Sequence, residues 1–72
     1  MPEEWIEVES SMILAVVYDE WGTLFVRFKN ESIYRYSGVS RQLFDEFLAA
    51  DSQGTFFNAK IKDRFPYQKV GD

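Results

Sequence analysis

The segment 52–67, Ser-Gln-Gly-Thr-Phe-Phe-Asn-Ala-Lys-Ile-Lys-Asp-Arg-Phe-Pro-Tyr, collects most of the side chains in this chain that could engage a charged ligand. Ser52 and Gly54 open it. At the start of a helix such a pair can leave backbone N–H groups facing an anion, at the positive end of the helix dipole. Gly also lets a ligand approach the backbone closely. The same residues have a plain structural use, with Ser52 capping its own helix and Gly54 relieving crowding where elements meet. Asn58 stands inside an aromatic run. Its amide could read a base edge or a ribose, or it could satisfy a strand carbonyl or a buried hydroxyl. Lys60, Lys62, Arg64 and Lys69 surround Tyr67, the mixture of cations and rings that holds single-stranded nucleic acid; their ordinary use is a solubilising face. Tyr34 and Tyr36 flank Arg35 on a strand pattern, where rings can form a stacking platform or fill a core.

Other chemistries have less to work with. There is no His and no Cys, so the usual general acid–base, the thiolate nucleophile and the common zinc ligands are all missing. Asp45 and Glu46 are adjacent on a helical pattern and point different ways. A Ser52–Lys60 or Ser52–Lys62 dyad has nothing else around it to activate the hydroxyl. The expectation is a non-enzymatic binding module with no metal and no cofactor.

The chain has 72 residues, room for one domain with a thin core. Seven Phe, four Tyr and two Trp supply what disulfides cannot. Net charge is −4 and unevenly spread. Residues 1–20 hold Glu3, Glu4, Glu7, Glu9, Asp19 and Glu20 without a base, whereas residues 53–70 hold four cations against Asp63 alone. The start is acidic and lacks the basic flank and apolar run of a secretory signal. The longest apolar run, Met12–Tyr18, is far too short to span a bilayer. A soluble, cytoplasmic protein without a membrane partner is expected.

The elements that must position the segment follow from periodicity. Residues 11–19 are β-branched and apolar on both faces, a central strand. Asp19-Glu20-Trp21-Gly22 reads as a turn, with Gly22 taking the positive φ. Residues 23–29 alternate, putting Leu24, Val26 and Phe28 inward and Phe25 outward beside Arg27. Residues 32–37 form a third strand. A three-residue loop with a bulge would pair Phe28 with Tyr34 and turn both tyrosines inward, which spares Arg35 an unpaired burial. Ile6 and Val8, alternating with Glu7 and Glu9, have the pattern of a short fourth strand at the edge. Ser40 caps a helix over 41–50, with Val39 and Phe44 as a hydrophobic staple and Leu43, Phe44, Phe47 and Leu48 as its apolar stripe. A second helix over 53–62 buries Phe57 and Ile61 and ends before Phe65-Pro66. Residues 70–72 are expected to fray. The fold class is α+β: a three-stranded antiparallel meander, with the short fourth strand as an option, and two C-terminal helices packed on one face.

With these elements in place, the chain resembles the KTSC domain, a short module named for its occurrence at the C-terminus of some lysyl-tRNA synthetases and also found alone. The resemblance is carried by Ser10-Ser11-x-Ile13 and Tyr18, Leu24-x-Val26-x-Phe28, Tyr34-x-Tyr36 and Val39. It continues through Ala50-x-Ser52-x-Gly54-x-Phe56-Phe57-Asn58-x-x-Ile61 and Phe65-Pro66-Tyr67. It spans about residues 8–69, a single domain, and implies RNA binding. Ser52, Gly54, Lys60, Lys62, Arg64 and Arg35 would then meet phosphates, and Tyr67, Tyr36 and Asn58 bases. Two alternatives stay open: a protein-interaction module using the Phe25 face or the acidic head, and capture of a small phosphorylated ligand at Ser52–Gly54.

Overall fold

The computed structural model describes residues 5–71. One antiparallel sheet contains five strands in the order of the chain: β1 (Ile6–Glu7), β2 (Ile13–Tyr18), β3 (Leu24–Phe28), β4 (Ile33–Tyr36) and β5 (Tyr67–Gly71). Helices α1 (Arg41–Ala49) and α2 (Gln53–Lys60) lie between β4 and β5 in sequence. Their buried side chains join those of one sheet face in a single core.

Two hairpin turns set the registers. In the first, Asp19 Oδ1 accepts from the Trp21 and Thr23 amides, each at 2.9 Å, and Gly22 takes φ +83°. In the second, residues 29–31 form a three-residue loop that ends with Glu31 at φ +73°, the left-handed third position such loops need. The loop length matches the sequence expectation, but the pairing differs by two residues. Tyr34 lies opposite Val26, and Phe28 meets Tyr34 only diagonally, edge to face at 5.7 Å. A shift of two keeps side-chain parity, so Tyr34 and Tyr36 still face inward. Tyr36 is buried and Tyr34 half-buried.

The inner face contributes Ile13, Val16, Leu24, Val26 and Tyr36; Val39, Phe44 and Phe47 close it from the α1 side, and Phe57 and Ile61 from α2. Ser40 caps α1, its Oγ accepting from the Leu43 amide at 3.0 Å. Val39 and Phe44 are both buried, as a staple requires. Phe25 lies on the opposite face beside Arg27, half-exposed.

The sheet has five strands, two beyond the expected meander. β1 realises the optional edge strand. β5 replaces the frayed tail: Gly71 pairs with Ile33 of β4 and Val70 lies at a register shift within the strand, while Asp72 and Met1–Glu4 fall outside the described residues. β5 carries no apolar alternation, and nearly all of it is exposed. It exists because the unpaired edge of β4 offers it a hydrogen-bonding ladder. α2 is shorter than expected, with Ile61 as its C-cap. No helix among the described residues is long and apolar enough to cross a membrane.

Candidate functional site

The fifth strand creates a site that the other strands do not define alone. Antiparallel pairing sets Tyr67 opposite Tyr36 and Lys69 opposite Tyr34, so the inner edge of the sheet becomes a row of rings. Tyr67 packs against Tyr36 at 5.6 Å and Tyr34 at 5.9 Å between ring centroids. Phe57 of α2 meets Tyr36 edge to face at 5.3 Å and Phe28 at 5.6 Å. Between this row and the end of α2 lies a cavity of about 280 Å³. Its walls are aromatic: Phe28, Tyr34, Tyr36, Phe57 and Tyr67. Its rim is polar, with Asn58 on α2 and Lys62 and Asp63 in the turn that follows; Met12 completes it from the segment entering β2.

Tyr36 is the deepest polar group here. Its residue is 3 % exposed, yet among the described residues no group exchanges a hydrogen bond with its hydroxyl. Desolvation, joined by Tyr34, Tyr67 and the Asp63 carboxylate, pushes its pKa up to about 12. The hydroxyl therefore stays a neutral donor and acceptor at physiological pH. Asn58 is equally uncommitted. Among the described residues its Nδ2 approaches only the Met12 Sδ, at 3.9 Å, a weak acceptor, and neither a strand carbonyl nor a buried hydroxyl there claims it. The exposed cations Lys60, Lys62 and Arg64 make no ion pair among the described residues; the two pairs present are Arg27–Glu31 and Arg41–Asp45.

Of the residues the sequence marked, Tyr34, Tyr36, Asn58, Lys62 and Tyr67 line the cavity. Lys60 and Arg64 lie on the surface at either side of Lys62 in the chain. Arg35 is elsewhere. It points from the opposite face of β4, across from Phe25 and Gln68, and donates to Gln68 Oε1 at 2.9 Å. Ser52 and Gly54 sit at the other end of α2. The Ser52 Oγ accepts from the Thr55 amide at 3.2 Å and bonds the Thr55 hydroxyl at 3.0 Å, the work of a cap. A methyl group on Gly54 would come within 3.0 Å of Ser10 Oγ and 3.8 Å of Met12 Cγ, so this glycine lets α2 approach the segment leading into β2. Sequence reasoning passed over Asp63 and the wall residues Phe28 and Phe57 as site members. The clue was Tyr67 followed by strand-compatible residues after Pro66, since a strand there draws Tyr67 to Tyr36 and encloses a space.

The family model of the KTSC domain matches residues 9–65. The chain belongs to the KTSC domain family. A protein of Tsukamurella paurometabola is 42 % identical over 59 residues, covering 81 % of this chain and 88 % of that one. The crystal structure of a KTSC domain protein from Yersinia pestis superposes with a TM-score of 0.89 at 35 % identity, covering 94 % and 97 % of the two chains. The five-stranded sheet and helix pair described above thus have a crystallographic counterpart in another KTSC domain. Among the described residues of this KTSC domain, no group of three or more His, Cys, Asp or Glu side chains could hold a metal ion.

Proposed function

We propose that this KTSC domain binds single-stranded RNA, seating one unpaired base in the aromatic cavity and its neighbouring phosphates on Lys60, Lys62 and Arg64. The observation that carries the reading is the junction of two unlike surfaces. Rings that can stack on a base line the cavity, and cations that make no ion pair among the described residues begin at its rim. Base–ring stacking contributes roughly 1–3 kcal/mol per base and tolerates any sequence, and cations add a salt-dependent term. The cavity volume is near the low end of ligand pockets, fitting one ring system rather than an extended molecule. Net charge of −4 does not oppose this. Glu7 of the acidic head lies on β1, four strand spacings from β5, roughly 19 Å at ~4.8 Å per strand. That distance exceeds the ~8 Å screening length at physiological ionic strength.

The reading is tested by titrating the protein with a short unstructured RNA at several salt concentrations. Three phosphate contacts give a slope of log K against log salt of about −2. The triple change Lys60→Ala, Lys62→Ala, Arg64→Ala should flatten it and weaken binding. Affinity no greater than that of an equally acidic unrelated protein would end the proposal.

A further inference from the structure

We infer that the cavity selects guanine over the other RNA bases, with Asp63 as the group that reads it. This rests on the RNA-binding reading above and narrows it to one base.

Asp63 is the oddity of the site. A carboxylate at the rim of a surface that meets phosphates repels the ligand, unless it is spent on something only a carboxylate does well. Its neighbours in sequence are Lys62 and Arg64, yet among the described residues it pairs with no cation. It is not a cap and, among the described residues, takes part in no side-chain hydrogen bond. It lines the cavity with Tyr36 and lies near enough to act on that hydroxyl electrostatically. An ionised carboxylate is acceptor-only, with two oxygens side by side. Its best match is a ligand edge that carries two adjacent N–H donors.

Among the unpaired bases one has that edge. Guanine presents its ring N1–H beside the exocyclic amine. Adenine and cytosine each set an amine next to a ring nitrogen lone pair, and uracil sets its single N–H between two carbonyl oxygens. A carboxylate facing any of those three meets a lone pair. The remaining polar group of guanine on that side is the O6 carbonyl, which needs a donor. Tyr36 is a buried residue whose hydroxyl has no hydrogen-bond partner among the described residues, and it lines the same space. Asn58, held only by a thioether, is a second donor at the rim. Donors for a carbonyl and an acceptor pair for two N–H groups therefore stand around one flat, ring-walled space.

The test uses the full chain and four oligouridylate nine-mers that differ at the central residue: guanosine, inosine, adenosine or cytidine. Binding is followed by anisotropy of a 5′-fluorophore. Guanosine is expected to bind about ten- to a hundred-fold tighter than adenosine or cytidine, the range for one well-made bidentate contact. Inosine, which lacks the amine, falls between. Asp63→Asn should collapse the preference by lowering guanosine affinity, while binding of the adenosine and cytidine oligomers holds or rises. The thermal midpoint should not move, because among the described residues Asp63 makes no ion pair and no side-chain hydrogen bond. Equal affinity for all four oligomers overturns the inference and leaves the RNA-binding reading standing. So does a guanosine preference that survives Asp63→Asn. Failure of every oligomer to bind overturns both.

Discussion

Replacing Gly54 by Ala adds one methyl group where α2 approaches the segment before β2. The balance of effects there separates a packing glycine from a ligand-binding one. A methyl at this point lies 3.0 Å from Ser10 Oγ and 3.8 Å from Met12 Cγ. Relief of the glycine's entropy cost in a helix favours Ala by at most about 1 kcal/mol, and less near a helix start. Overpacking a tight contact costs about 1–3 kcal/mol. The contact cannot relax freely, because Ser10 Oγ accepts from the Met12 amide at 3.1 Å and the Ile13 amide at 3.2 Å. Moving it weakens bonds worth about 0.5–1.5 kcal/mol each. Overpacking wins, and Gly54→Ala should destabilise by about 1–2 kcal/mol, a fall in Tm of roughly 4–16 °C for a domain of this size. Urea and thermal unfolding followed by circular dichroism measure it. Ser10→Ala removes the obstructing atom, so in that background Gly54→Ala should be neutral or stabilising, with a coupling of at least about 1 kcal/mol. RNA affinity of the folded variant should be unchanged. An equal loss of stability in both backgrounds would refute the packing argument. So would a variant of normal stability that no longer binds RNA, which would return Gly54 to the ligand.

Two further outcomes follow from the core and the buried tyrosine. Phe47 is fully buried by α1 against the sheet, and Phe47→Ala should cost about 3–5 kcal/mol, much of the roughly 4–11 kcal/mol available to a domain this long; urea unfolding at 25 °C checks it. Tyr36 holds its proton up to about pH 12 in the folded chain, while an unfolded tyrosine loses it near 10. Between those values the unfolded state binds fewer protons, so stability falls as pH rises. The loss should be about 1 kcal/mol across that window, discounted for the solvent-facing cavity beside the hydroxyl, and a Tyr36→Phe variant should lack this component when both are unfolded in urea at pH 9 and 11.5.

The elements with their own burial signal were legible before any coordinates. β2 and β3 announced themselves by apolar runs and alternation, and α1 by Ser40, the Val39–Phe44 staple and its stripe. β5 was not legible, because an edge strand with exposed side chains has no periodicity of its own and is stabilised by a neighbour distant in sequence. Much of the site went with it. Tyr67, Tyr36 and Asn58 were marked for their chemistry, but their meeting with Phe28, Phe57 and Asp63 depends on the register of β4 with β5 and on where α2 ends. Ser52 carries two readings in the sequence, an anion site and a cap for its own helix, and the bond from the Thr55 amide to its oxygen favours the cap. Arg35 was drawn in by its tyrosine neighbours, and strand alternation sends it to the other face.

The central claim is that RNA is held at the ring-walled cavity and its cationic rim. The most direct measurement is an amide-shift map of the isotopically labelled protein on adding a short single-stranded RNA at low salt. The account predicts progressive shifts confined to residues 34–36, 57–64 and 67–69, with Tyr36 and Asn58 among the largest. Shifts gathered on the Phe25 face or around Ser52, or none at saturating RNA, would contradict it.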